Sequence, residues 1–409
     1  MVGRIYWPLL TLLPTALLTV SCGSFGAAQI STTISPATVS TGVPGKSTAS
    51  ATKALSNLSM QDLSWISPTE GWVLYRKGCG TTSCQAYLAH TADGGATWQK
   101  LPSPPVDLAP PQYPMCSKST CVSHVRFANQ NDGYLYGSSF FITTDGGHSW
   151  QAQSGLSVEA LEITGNKVFR VTYAGVGCSS LCKPTLQESS PGSADWKTLL
   201  AGLSHPSQSR SAQFANSGSA LLLALYGNEA AGVSAQAQLY RSTDNGSNWT
   251  LMSDPCSGKL PSVSTREADL ISLAAAPGGF FAGLCSPHSG FATFMVHSTD
   301  AGRRWSFAGS IPQADQLRLI AAASSTTLAA ATGVVSGAGR YIAKLLVSFD
   351  GGKTWRIAGT DTQKLTQMMV PAWLGFETSR SGRWLSGLDS LWTTSDGALD
   401  WSKAQIGVS

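Results

Sequence analysis

Thr91-Ala92-Asp93-Gly94-Gly95-Ala96-Thr97-Trp98 is the phrase whose recurrence decides the fold. It returns as TTDGGHSW over 143–150, STDNGSNW over 242–249, STDAGRRW over 298–305 and SFDGGKTW over 348–355. TSDGALDW over 394–401 carries Ala398 where the others carry glycine, and SSPGSADW over 189–196 keeps only the spacing and its final Trp196. The seven closing tryptophans, Trp98, Trp150, Trp196, Trp249, Trp305, Trp355 and Trp401, are separated by 52, 46, 53, 56, 50 and 46 residues. A period of about fifty residues marks repetition of one small supersecondary unit.

The pattern S/T-x-D-x-G-x-x-W resembles the Asp box, or bacterial neuraminidase repeat. Its chemistry is structural. Aspartate accepts backbone N–H groups of a tight turn, glycine takes positive φ without steric cost, and indole buries a large apolar area. Asp93, Asp145, Asp244, Asp300, Asp350 and Asp396 are therefore read as turn-holding groups, because carboxylates carried once per unit serve the unit and not a shared site.

Ahead of each phrase lie two apolar runs broken by a polar turn, such as LSWISPTEGWVLY (63–75), VRFANQNDGYLYG (125–137) and LEITGNKVFRVTY (161–173). Short β-branched and aromatic runs bounded by Gly, Asn and Ser read as strands, and no long 3.6-residue period argues for helix. Each unit is then four antiparallel strands, A to D, with the Asp box at the C–D turn. Four-stranded units repeated four to eight times close into a β-propeller. The expectation is an all-β, seven-bladed propeller over 58–409, with a flat solenoid as the alternative. The stretch around Ala54 to Met60 is a candidate for helping to close the ring.

Residues 1–21 read as a secretory signal, with Arg4 ahead of an apolar run from Ile5 to Val20. Leu18-Thr19-Val20-Ser21-Cys22 resembles a bacterial lipobox, which implies lipidation at Cys22; a plain small-residue cleavage site competes, since Thr19 stands where the lipobox carries leucine. Residues 22–57, rich in Ser, Thr and Ala, lack the apolar content to fold and read as a tether. The expected location is the bacterial cell envelope, on the outer side of the cytoplasmic membrane.

Eight further cysteines, Cys79, Cys84, Cys116, Cys121, Cys178, Cys182, Cys256 and Cys285, suit disulfides in an exported chain. Proximity suggests the pairs 79–84, 116–121, 178–182 and 256–285, although rule alone leaves many connectivities open. Their spacings, CGTTSC, CSKSTC and CSSLC, are not those of zinc sites. On the four-strand scheme all eight fall in B–C loops or D–A crossovers, on the face opposite the Asp boxes. That face also carries the long insertions, and long loops on a rigid scaffold are where recognition concentrates. Arg76, Tyr113 and Arg266 are candidate contact residues there.

Lys and Arg total 27 against 23 acids, and 12% of residues are charged, too sparse for a nucleic-acid surface. Neither a G-x-S-x-G elbow, an H-E-x-x-H helix nor a P-loop is present, and nothing calls for a cofactor or metal. Sialidases place an arginine in a Phe/Tyr-Arg-Ile-Pro phrase before the first box; Tyr75-Arg76 is followed here by Lys-Gly, and Phe169-Arg170-Val171-Thr172 lacks the proline. Other glycosidases need two carboxylates across a cleft, and Asp62, Glu70, Asp132, Glu162, Glu267 and Asp269 remain without a pairing signal. The chain after residue 58 resembles the photosystem II assembly factor (Ycf48-like) group, single seven-bladed propellers with the T-x-D-G-G-x-x-W phrase. That resemblance implies an exported, often lipid-anchored assembly or binding module. The expectation is thus a monomeric, non-catalytic propeller that binds a protein or glycan, with a glycoside hydrolase as the alternative.

Overall fold

A computed structural model describes residues 58–77, 84–108, 121–174, 183–203, 212–226, 237–257, 268–287, 293–312, 317–336, 339–364, 373–387, 389–404 and 406. Cys22, Cys79, Tyr113, Cys116, Cys178, Cys182, Arg266 and the whole of 1–57 lie outside them.

Among the described residues there is no helix, and the strands form seven antiparallel blades. Blade 1 is built from Leu58–Trp65, Gly71–Lys77, Tyr87–Thr91 and Gln99–Lys100, and blade 7 from Trp373–Phe376, Gly382–Leu385, Leu391–Thr394 and Ser402–Ala404. Strand A opens blades 2 to 6 at Cys121–Phe127, Leu156–Thr164, Ala212–Asn216, Ala268–Ala276 and Leu317–Ala322. Every blade runs A-B-C-D in order, so blade 1 is wholly N-terminal and blade 7 wholly C-terminal. Residues 58–60 belong to strand A of blade 1 and lend no strand to blade 7.

Seven apolar clusters fill the seven spaces between blades, and each receives one Asp-box tryptophan. Trp150 packs on the cluster of blades 1 and 2, Trp196 on that of 2 and 3, Trp249 on 3 and 4, Trp305 on 4 and 5 and Trp355 on 5 and 6. Trp401 completes the space between blades 6 and 7. The ring closes at the seventh cluster, where Trp98, Met60 and Leu63 of blade 1 meet Leu385 and Leu391 of blade 7. Trp98 and Trp401 are buried and the other five indoles half-buried; full burial of a ring of this size contributes roughly 2–3 kcal/mol, so each indole is an inter-blade wedge.

One blade departs from four strands. Cys84–Gln85, from the B–C loop of blade 1, pairs with Asp107–Leu108 of the following crossover, which runs parallel to strand A of blade 2. The six-stranded sheet that results closes over the inner edge of blade 2 on the cysteine-bearing face.

Candidate functional site

The Asp box shares one hydrogen-bonded frame in six blades, and in four of them the residue before the tryptophan adds a side-chain donor. Thr91 Oγ1 donates to Asp93 Oδ1 at 2.8 Å and accepts from the Gly95 N–H at 3.0 Å. Asp93 also accepts the Thr97 N–H at 2.9 Å and the Thr97 hydroxyl at 2.6 Å. Positions four and five take positive φ: 76° and 95° at Gly94 and Gly95, but also 61° at Ala301 and 71° at Ala398. Hydrogen bonds from the residue before the tryptophan (Thr97, Asn248, Thr354) draw Asp93, Asp244 and Asp350 down to about 2. These carboxylates are committed to their turns. The position-four amide then donates to the A–B turn of its own blade, as in Gly94 to Thr69 O and Gly397 to Arg380 O, which fixes both turns on one face.

The inner strands hold a second polar system. Strand A is an edge strand, and its outward N–H groups need partners. They find them on the preceding blade: Asp62 accepts the Val125 N–H at 3.1 Å, Ser64 the Phe127 N–H at 2.8 Å, Gln213 the Leu273 N–H at 3.0 Å and Ser272 the Ile320 N–H at 3.3 Å. Asp62 is the most heavily engaged. Its carboxylate also takes the Leu63 N–H at 2.9 Å, Arg126 NH1 at 2.9 Å and His124 Nδ1 at 3.2 Å. Burial alone would raise its pKa, but Arg126 and His124 hold it below the ordinary carboxylate value. His124 stacks on Tyr136 with ring centroids 4.9 Å apart, and its side chain stays 44% exposed. Across from it, desolvation pushes Glu162 up to about 7 against the pull of Asn216 Nδ2, 3.3 Å away, and of Arg126.

The other carboxylates considered from sequence do not join this group. Glu70 accepts from His90 at 2.6 Å and from Gln130 at 3.2 Å, and Asp132 accepts from Asn129 at 2.7 Å. Both lie at A–B turns, on the Asp-box face. Asp269 sits in strand A of blade 5, and Glu267 is outside the described residues. Among the described residues no three His, Cys, Asp or Glu side chains gather as metal ligands would.

Of the cysteines, Cys256 and Cys285 form a disulfide with Cα atoms 5.5 Å apart, joining the end of blade 4 to blade 5. Cys285 lies within strand B (Phe280–Pro287) and not in the loop beyond it. Cys84 and Cys121 are also disulfide-bonded, and the pairings 79–84, 116–121 and 178–182 involve residues outside those described. Arg76 corrects the sequence expectation of an exposed loop residue. It is in strand B of blade 1, 2% exposed, and donates to Gln61 Oε1; desolvation pulls its guanidinium down to about 10.

Sequence reading missed a set of inter-blade donors. Trp72 Nε1 reaches the carbonyl of Gly146 in the next box at 3.3 Å, Lys167 Nζ that of Asn245 at 3.2 Å and Arg241 Nε that of Ala301 at 2.5 Å. Arg383 does the same across the closure, reaching Pro68 O at 2.8 Å and Gly94 O at 3.4 Å, pairing with Glu377 at 2.5 Å and lying 3.3 Å over the Trp65 ring. These residues occupy strands B and C beside the apolar core positions, and only the register between blades reveals their shared role.

No family model matches the chain, and no curated protein matches it in sequence. Similar solved structures include Ycf48 from Cyanidioschyzon merolae, at 16% identity over 83% of this chain and 96% of that one, with a TM-score of 0.46. Ycf48 bound to a D1 peptide is 16% identical over 68% and 79%, with a TM-score of 0.41. An ulvan lyase of a polysaccharide-lyase family is 10% identical over 83% and 90%, at 0.50. At these identities the similarity concerns the fold alone.

Proposed function

We propose that this chain is an exported, membrane-tethered binding propeller, lipid-anchored through Cys22, that engages a protein or a glycan with its cysteine-bearing face. The observation that carries the reading is the construction of that face. A disulfide ties blade 4 to blade 5 there, and the loop of blade 1 and the crossover into blade 2 are drawn into one sheet with strand A of blade 2. Loops ordered before contact lose less entropy on binding. The saturated hydrogen bonding of Asp62 argues in the same direction, since a carboxylate holding four donors is not poised as a nucleophile or base.

A glycoside hydrolase is the second reading, and Glu162 is the observation that favours it: a desolvated carboxyl titrating near 7 suits a general acid. A glycan array probed with the full chain, read both for retention and for product release, separates the two. Retention without release, reduced by substitutions at Tyr113 or Arg266, is the expected result. Release abolished by Glu162→Gln would establish the hydrolase instead. For the anchor, a lipid label incorporated on expression in a bacterial host and lost in Cys22→Ser is expected; labelling indifferent to that substitution refutes it.

A further inference from the structure

Among the described residues, the outer edge of blade 6 is unlike that of any other blade. Strand D runs there over 9 residues, Arg356–Lys364, against 2 to 5 in the other six blades. In blades 3, 5 and 6 a bulge interrupts the pairing of strands C and D after two residues. Beyond it blade 3 pairs one more residue, blade 5 two, and blade 6 six, Gly359 to Lys364. Strands B and C lengthen with it, as Leu328–Ser336 and Arg340–Ser348. Blade 7 holds the strand in place: Asp361 accepts from Ser386 Oγ at 2.5 Å and from Lys403 Nζ at 3.3 Å. No described strand pairs with its outer side, so alternate amides and carbonyls over about 30 Å have no ladder partner.

Sheets blunt such edges with short strands or proline, and this strand has neither. Thr360 and Thr362, on the side away from Asp361, are exposed and β-branched. Among the described residues four large apolar side chains are exposed, Leu251, Phe349, Ile357 and Leu399, and three of them stand at this edge. The Arg356 guanidinium lies 5.3 Å from the Phe349 ring centroid and donates to the Leu399 carbonyl at 2.6 Å. Ile357 follows Arg356 and so points to the opposite face of the sheet. Phe349 itself stands where the other boxes carry Ala, Ser or Thr. Apolar groups thus flank the edge on both faces, and an added strand, whose side chains alternate between the faces, covers both. Only another extended main chain presents donors and acceptors at the matching interval.

We propose that a partner protein docks an extended segment along Arg356–Lys364 as a fifth strand of blade 6, with apolar side chains on both of its faces at the end beside Ile357. The site is on the outer rim and stands independently of the ligand proposed for the cysteine-bearing face. The test selects phage-displayed random dodecapeptides on the immobilised full-length chain. One selected peptide, end-blocked, is then followed by fluorescence anisotropy and by backbone amide hydrogen exchange. Saturable binding is expected, with exchange slowed in residues 356–364 and not in the D strands of the other blades. Two versions of the peptide, N-methylated at alternate residues in opposite phase, should differ: the phase facing the edge weakens binding at least about tenfold, the other little. Ile357→Glu and Leu399→Glu, both at exposed positions, should each weaken it several-fold with Tm unchanged. Slowed exchange confined to other surfaces, equal affinity of the two methylated peptides, or undiminished binding in both variants overturns the proposal. Protection of 356–364 that appears without peptide as the chain is concentrated, with sedimentation as a dimer, overturns the partner and assigns the edge to a second copy of this chain.

Discussion

Ala301 and Ala398 hold left-handed backbone, at φ 61° and 71°, where the other complete boxes use Gly or Asn. Relief of that strain is worth about 1–2 kcal/mol, offset by roughly 0.4–1 for glycine's freer unfolded chain. Ala301 is half-buried, so Ala301→Gly is expected to raise stability by about 0.5–1 kcal/mol in denaturant titrations. The Ala398 methyl is fully buried, and losing about 0.8 kcal/mol of burial brings Ala398→Gly close to zero. Glu162 makes a pH-dependent prediction. Its folded pKa is raised, to about 7, so the carboxyl destabilises the fold increasingly as pH climbs from the unfolded carboxylate range to about 7. Glu162→Gln should therefore raise Tm more at pH 8 than at pH 5; an equal shift at both contradicts the assignment. The box aspartates have the opposite sign. Their stabilisation is complete above the unfolded carboxylate pKa and is lost as pH falls toward 2. The boxes were legible in the sequence because the side-chain bonds of their Ser, Thr and Asp are local, within four residues. The engagement of Asp62 was not, because its partners Val125 and Arg126 are over sixty residues away.

At the scale of the element, each blade is an incomplete sheet whose two faces and inner edge are finished by its neighbours. Alternating apolar runs disclosed the strands, yet the chain carries no local signal for the two-residue strands Cys84–Gln85 and Asp107–Leu108, which exist only because two loops meet over blade 2. The Cys256–Cys285 bridge spans 29 residues, and in the chain-entropy account such a loop stabilises by about 3–4 kcal/mol. The double variant Cys256→Ala/Cys285→Ala should lose about that amount, and reductant should shift its Tm less than that of the parent. Deleting a wedge has a comparable cost. Trp98 is 1% exposed, and Trp98→Ala should lower stability by about 3–5 kcal/mol, measured by chemical unfolding.

Considered whole, the propeller formed by the described residues is a ring whose first and last blades meet without sharing a strand. The blade count was readable from the tryptophan spacing, since one wedge per unit is what the closed geometry requires. The manner of closure was not, because Arg383 reads as an ordinary strand residue until Trp65, Pro68 and Glu377 are brought around it. The central claim is that blade 7 packs against blade 1, and a double-mutant cycle across the closure tests it. Trp65→Leu and Arg383→Met, singly and together, should reveal a coupling of about 1–2 kcal/mol in the stability of the full chain. Strict additivity between these two sites would show that the ring does not close there, and would contradict the account.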